Sequence, residues 1–231
     1  MTFEIPLRLF CMIWLFNVAK EPFVGLCIHS TMKILTTLLA LTTSFSLAGD
    51  WITMFDGKTL DGWKVNSENP ATFSVEDGAI KVKGPRAHLF YGEDGNAKFQ
   101  DFEFECECKT AKGANAGIFI HTKFQDNGWP SHGYECQVNA TQSDWRKTGS
   151  IYSFQDLKEP GHKDDEWFTY HIKVEGKKIT VTINGKVVNE YTEPADHKDK
   201  TKRLSEGTIA LQGHDPGSLV YFRKLRIRKL D

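Results

Sequence analysis

The most constraining feature of the 231-residue chain is a recurrent turn dipeptide: Asp56-Gly57, Asp61-Gly62, Asp77-Gly78, Asp94-Gly95, Glu175-Gly176 and Asn184-Gly185. Such pairs accept the positive φ angles that tight hairpin turns demand, because glycine carries no Cβ and Asx side chains bond to their own backbone. Between them, apolar residues alternate with polar ones, and no apolar period of 3.6 is sustained for a dozen residues, so the chain reads as strands rather than helices. The run DFEFECECK, 101–109, alternates without a break, with Phe102, Phe104, Cys106 and Cys108 inward and Glu103, Glu105 and Glu107 outward. WFTYHIKVEGKKITVTINGKVVNEY, 167–191, predicts a three-strand meander. The tail GTIALQGHDPGSLVYFRKLRIRKL predicts two more strands, the first with Ile209 and Leu211 inward and Ala210 and Gln212 outward. In the second, the apolar residues change parity between Val220 and Ile227, which predicts a bulge. The opening WITMFDGKTLDGWKV places Trp51, Phe55, Leu60 and Trp63 around two tight turns as a cover for one end of the core. Many short antiparallel strands at intervals of about ten residues predict an all-β, two-sheet sandwich of the jelly-roll kind.

The first 48 residues are set apart from this pattern. Met32 and Lys33 open the run ILTTLLALTTSFSLAG, with a positive start, an apolar centre and a small-residue end at Ser46-Leu47-Ala48, which is the pattern of a secretory signal peptide. The expected organisation is therefore an upstream or leader segment at 1–31, a signal peptide at 32–48 cleaved near Ala48, and one domain over 49–231. The product is expected to be secreted or periplasmic, with no membrane association after cleavage. Residues 49–231 are enough for one domain with a substantial core.

That domain holds 26 basic and 28 acidic residues. A near-neutral balance without a basic stripe argues against nucleic acid as a partner. Three cysteines, Cys106, Cys108 and Cys136, leave two readings open: buried free thiols, or one bridge to Cys136. No CxxC pair or Cys and His spacing points to zinc; no cofactor is predicted, and a metal requirement is not legible from the chain. Oligomeric state is not legible from the chain.

Polar residues concentrate between Gly113 and Tyr152, in GANAGIFIHTKF, GYECQVNATQSDW and TGSIY. By parity Asn115, Gly117, Phe119 and His121 share one strand face, opposite Ile118 and Ile120; Glu135, Gln137 and Asn139 alternate with Tyr134, Cys136 and Val138. An amide, an imidazole and a carboxylate are thus expected to converge on one sheet surface, extended by Gln212 and His214 from a later strand. Trp129 and Trp145, in polar loops, are candidates for stacking on a ligand ring. Trp167 heads a core strand and reads as structural. Each residue also has a plainer reading: Glu135 as a solvated carboxylate, Asn115 as a turn residue, and Gln137 and Gln212 as sheet-surface hydrogen bonders.

FDGKTLDGWKV, FSVEDGAIKVKG, GANAGIFIH, GYECQV, TGSIY, DEWFTYHIKVEGKKITVTINGK, GTIALQGHDPGS and VYFRKLRIRKL, in that order, resemble the 3-keto-disaccharide hydrolase domain family over about Trp51 to Leu230. The resemblance implies a concanavalin-A-like sandwich of two curved antiparallel sheets with a concave ligand-binding face. It also implies a carbohydrate substrate and cleavage of the glycosidic bond of 3-keto-glycosides.

A ketone at C3 acidifies the hydrogen at C2. A base removes that hydrogen, the enolate expels the group at C1, and water adds back. Such a site needs a general base, donors to the enolate oxygen and an acid near the leaving oxygen. Under the resemblance Glu135 or His121 is the base, while His214, Asn115 and Gln137 are donors. Tyr152 is an acid or a stacking ring, and Arg223 falls within a family-like motif. The chain departs from the family pattern at Ala116 and His121, where Asn-Ser-Gly and a later Arg are common, and at Asn139, where Asp is frequent. Two alternatives accompany this reading. One is a carbohydrate-binding module without catalysis; the other is a retaining glucanase using carboxylates from the Glu103, Glu105 and Glu107 triplet.

Overall fold

The computed structural model describes residues 49–230. The segments expected to be a leader (1–31) and a signal peptide (32–48) lie outside the described residues.

Thirteen strands follow in chain order: β1 (Ile52–Thr53), β2 (Trp63–Val65), β3 (Phe73–Glu76), β4 (Ala79–Lys83), β5 (Ala87–Tyr91), β6 (Phe102–Thr110), β7 (Asn115–Thr122), β8 (Tyr134–Asn139), β9 (Phe168–Glu175), β10 (Lys178–Ile183), β11 (Lys186–Thr192), β12 (Thr208–Gly213) and β13 (Leu219–Lys229). The one helical element among the described residues is a single 3₁₀ turn at Pro70–Thr72, and no helix there is long and apolar enough to cross a membrane. The strands form two antiparallel sheets. One has eight strands in the order β11-β10-β9-β6-β13-β4-β3, with β1 added beside β13; the other has five, in the order β2-β5-β12-β7-β8.

The turn chemistry sets the hairpins. Asp77 and Gly78 both take positive φ between β3 and β4, as do Asn184 and Gly185 between β10 and β11, the geometry a two-residue hairpin needs to match strand twist. In the β9-β10-β11 meander, β9 and β10 pair without a break, while the β10-β11 register shifts between Val181 and Thr182, where Val188 is the extra residue. The expected bulge in β13 falls between Arg223 and Arg226, where Lys224 has φ 53°. The extra residue turns Leu225 into the core and keeps Arg226 and Arg228 outward.

Inward faces of both sheets build one core, in which Phe102, Phe104, Cys106, Cys108, Ile118, Ile120, Tyr170, Ile172, Leu211 and Phe222 are all buried. Burial of apolar area at about 25 cal/mol per Å² is the main favourable term holding such a sandwich together. The three cysteines in the described domain are buried free thiols, and Cys106 Sγ lies 3.4 Å from Cys108 Sγ. Phe55 and Trp63 from the opening turns are buried in the core with Leu60 packed against it, whereas Trp51 lies against the outward Arg226 and Arg228 guanidiniums, 4.4 and 4.9 Å from its ring centroid; the Trp63 indole N–H donates to the Met54 carbonyl at 2.6 Å.

The outer face of the larger sheet accounts for the acidic triplet. Glu103 accepts from Arg228 at 2.8 Å and sits 3.2 Å from His171, Glu105 pairs with Arg226 at 2.6 Å, and Glu107 pairs with both Arg223 and Lys224 at 2.6 Å. These carboxylates are cross-strand partners of basic residues on β13, and the ladder fills the face with opposite charges. That arrangement removes the support for a glucanase site on β6. It also places Arg223 on the sheet that does not carry the cavity. The Arg223 guanidinium is held by Glu107 and lies 3.8 Å from the Trp167 ring centroid, so Arg223 is corrected from a ligand contact to a member of the charge ladder.

Candidate functional site

The five-stranded sheet turns polar and aromatic side chains away from the core, and over them lies a cavity of about 430 Å³. One row across this face runs Lys64, Phe90, Ala210, Phe119 and Glu135, each opposite the next on neighbouring strands. The adjacent row includes His88 opposite Gln212 and Gly117 opposite Gln137.

Seven of the eleven residues singled out from the sequence meet in this cavity: Glu135, His214, Tyr152, Asn115, Gln137, Gln212 and Trp129. Glu135 occupies the floor. Its Oε1 accepts a hydrogen bond from Gln212 Nε2 at 2.8 Å, and with the Gln137 amide nitrogen turned toward it, Gln137 donates to the same oxygen at 3.3 Å and to the Ala116 carbonyl at 2.9 Å. Glu135 retains some surface on the cavity side, yet its carboxyl is packed round by protein. Burial pushes its pKa up to about 7, against the opposing influence of the Gln212 hydrogen bond and the Lys202 charge. Gly117 makes that position reachable, because a Cβ there would collide with the Glu135 carboxyl.

Around the floor, the Tyr152 hydroxyl donates to Asp144 Oδ2 at 3.2 Å. Burial first, then the Asp144 charge, raises the Tyr152 pKa and keeps the phenol protonated. His214 Nδ1 lies 2.8 Å from Asp215 Oδ2, a contact that orients the imidazole. Against the effect of burial, hydrogen bonds from His214, Ser218 and the Gly217 N–H hold Asp215 below the usual carboxylate range. The Trp129 ring lies 5.3 Å from the His214 ring and 5.1 Å from the Arg86 guanidinium, between centroids.

Three further predicted residues are placed elsewhere. His121 adopts φ 51°, which breaks the alternation of β7 at its end. The ring therefore turns off the polar face. Its Nε2 meets the Gln100 carbonyl at 2.7 Å, its Nδ1 accepts from the Ser205 N–H at 3.2 Å, and the ring packs edge-on against Phe102. Burial lowers its pKa. His121 is thus a strut between two loops and the core, not a cavity residue. Asn139 is fully buried, its amide nitrogen donating to the Asp144 and Arg146 carbonyls at 2.9 Å each, so it shapes the loop that carries Asp144 rather than facing a ligand. Trp145 stands outside the cavity and is 50% exposed; the Arg146 guanidinium lies 5.0 Å from its ring and 4.6 Å from that of Tyr152.

Sequence reasoning missed Lys202. It comes from a polar loop with no strand pattern, yet it lines the cavity and its Nζ donates to the Pro130 carbonyl at 2.7 Å. Burial lowers its pKa and the Glu135 charge opposes that effect. Asp144 was also missed, although it sits within the polar stretch Gln142-Ser143-Asp144-Trp145. Among the described residues no group of three or more His, Cys, Asp or Glu side chains is arranged to hold a metal ion.

The family model described as the 3-keto-alpha-glucoside-1,2-lyase-like domain matches residues 50–228. A relative from Bacteroides thetaiotaomicron named 3-keto-disaccharide hydrolase is 40% identical over 79 residues, which is 31% of this chain and 27% of the relative. The match thus spans only about a quarter of that relative's length. Among solved structures, one from Parabacteroides distasonis ATCC 8503, provisionally assigned as a glycosyl hydrolase, aligns with TM-score 0.67 at 21% identity over 79% of this chain and 94% of that one. The Bacillus licheniformis β-glucanase aligns with TM-score 0.50 at 12% identity over 80% of this chain and 99% of the other. At such identities the structural likeness speaks for the fold, a glucanase-type jelly roll.

Proposed function

The chain belongs to the 3-keto-alpha-glucoside-1,2-lyase-like domain family, and from that membership and the cavity geometry we propose that it cleaves the glycosidic bond of 3-keto-glycosides. The observation that carries the reading is Glu135. It is a carboxylate at the cavity floor whose pKa, about 7, suits a group that must take a proton and later return one near neutral pH.

In the proposed sequence the Glu135 carboxylate removes the C2 hydrogen, and the electron pair of that C–H bond becomes the enolate with the C3 oxygen. Lys202 and His214, at the cavity wall, supply positive charge and a donor to that oxygen. The enolate collapses, the C1–O bond breaks, and the leaving oxygen takes a proton from Tyr152. Water then adds across the new C1–C2 double bond: its oxygen joins C1, and protonated Glu135, whose proton exchanges with solvent while the leaving group departs and water enters, returns a hydrogen to C2. The Tyr152 phenol regains its proton from that water, so the net change is hydrolysis. Gln212 and Gln137 hold the Glu135 carboxylate in place; Asp144 orients Tyr152, and Asp215 orients His214. Export through the 32–48 signal peptide belongs to the same proposal, as does the single domain at 49–231.

The direct test incubates residues 49–231 with a 3-keto-glucoside and with its unoxidised parent. The proposal expects cleavage of the ketone alone. Binding of either sugar without turnover would instead make the domain a carbohydrate-binding module, and equal cleavage of both would refute the need for a C3 ketone.

A further inference from the structure

One group beside the cavity has no part in the chemistry above. His88 is fully buried, and neither ring nitrogen has a hydrogen-bond partner. Its neighbours share the condition: Asn66 Nδ2 and Gln212 Oε1 are also buried without partners. Among the described residues six buried side-chain polar atoms lack a partner, and four of them lie on these three adjoining residues. Buried polar atoms of folded proteins are overwhelmingly paired, so such a concentration calls for an explanation.

The backbone places the three side by side. Gln212 is the cross-strand partner of His88, and Asn66 is tied to His88 by two bonds of 3.0 Å, its N–H to the His88 carbonyl and its Oδ1 from the His88 N–H. Gln212 donates through its nitrogen to Glu135, and its carbonyl oxygen is left without a partner. The cover is Trp129. Its ring meets His88 edge-on at 5.7 Å between centroids and is itself 44% exposed, on a loop where Gly128 takes φ 73°. Ring contacts with His88, His214 and Arg86 hold the indole there.

We infer that Asn66, His88 and Gln212 form a second compartment of the site, opened when the Trp129 indole swings aside, that receives the ring attached to C1 of the substrate. The inference rests on the proposed glycoside-cleaving function. Asn66 Nδ2 is a donor, Gln212 Oε1 an acceptor, and a neutral imidazole is one of each. That set matches adjacent hydroxyl groups, each of which gives and accepts, and it carries no charge to select an anion. Phe119, whose ring lies 5.5 Å from that of His88 and lines the cavity, gives the compartment an apolar side suited to the C–H face of a pyranose ring. Burial lowers the His88 pKa to about 3, which keeps the imidazole neutral near neutral pH. Gln212, a member of the compartment, donates to the Glu135 carboxylate, so the compartment lies beside the base, which is where a leaving ring belongs.

The test uses two substrates that differ only at C1, a 3-keto-disaccharide and methyl 3-keto-glucoside, with the wild type and His88→Phe. Loss of two hydrogen bonds is expected to raise KM for the disaccharide about tenfold, with KM for the methyl glycoside unchanged. Equal changes for both substrates, or a change for neither, would overturn the compartment. Should the wild type cleave neither sugar, the functional reading fails by itself, and the same pair titrated calorimetrically still decides the compartment. Weaker binding of the disaccharide alone by His88→Phe supports it, and equal binding refutes it. In the wild type, the ¹⁵N resonances of His88 are expected to move with the disaccharide and not with the methyl glycoside. This measurement does not depend on how the variant folds.

Discussion

Glu135 and Gln212 meet through a 2.8 Å hydrogen bond although the strand that carries Gly117 runs between theirs. The carboxylate reaches across because Gly117 has no side chain to stop it. A charged group is thereby held at one place on the sheet by an amide that cannot neutralise it, which is the requirement for a base whose proton affinity is set by burial.

Replacing Glu135 by Gln keeps the shape and removes the proton acceptor. The expected outcome is a fall in kcat on a 3-keto-glucoside of about 10²- to 10⁴-fold, the usual contribution of a positioned general base, with an unchanged circular dichroism spectrum. Retention of full activity would assign the base elsewhere.

The pH dependence follows from the same carboxyl. Because the base must be ionised, kcat/KM is expected to rise through pH about 7 and level off above it. For stability the sign is opposite. The folded pKa lies above the ordinary 4.5, so the folded state holds this proton more tightly, and its contribution is present below about pH 4.5 and lost as pH rises through about 7. Glu135→Gln is therefore expected to be more stable than the wild type above pH 7, by roughly 2–3 kcal/mol in chemical denaturation.

Lys202 bears on the same titration. Its charge lowers the Glu135 pKa, so Lys202→Met is expected to move the acid limb of the rate profile to higher pH, by on the order of half a unit to one unit. A drop in rate with the limb unmoved would show that Lys202 does not act on Glu135.

Gly117→Ala tests the clearance. The added methyl meets the Glu135 carboxyl, and the expected result is at least a tenfold loss of kcat, the size of a displaced reacting group, with a stability loss of about 1–3 kcal/mol. Full activity would mean that the carboxylate has another productive position.

His121→Asn separates strut from catalyst. Asn tolerates the positive φ but does not span from Gln100 to Ser205, so a loss of about 1–3 kcal/mol in stability is expected with kcat of the folded protein preserved. A large loss of kcat without loss of stability would return His121 to the site.

Much of the fold was legible because it rests on local chemistry. Asp77-Gly78 and Asn184-Gly185 dictate their own hairpins, and the unbroken alternation of β6 fixes which face of Phe102, Phe104, Cys106 and Cys108 is buried. The cavity floor was legible for the same reason, since Glu135, Gln137 and Gln212 keep strict strand parity. The reading failed where one backbone angle interrupts that parity. His121 shares the parity of Asn115 and Phe119, but at φ 51° its ring turns elsewhere, and nothing in the residue type announces the switch. Asn139 looked like another polar face residue, and only its contacts with the 144–146 turn reveal a loop support. Lys202 was invisible for the converse reason: it reaches the cavity from a loop distant in sequence, where no periodicity exists to place it.

The central claim is that Glu135 removes the hydrogen at C2. The most direct measurement follows deuterium in a 3-keto-glucoside turned over in D₂O by the wild type and by Glu135→Gln. The account predicts deuterium at C2 of the wild-type product and loss of both cleavage and incorporation in the variant. Cleavage that leaves the C2 hydrogen in place would contradict it.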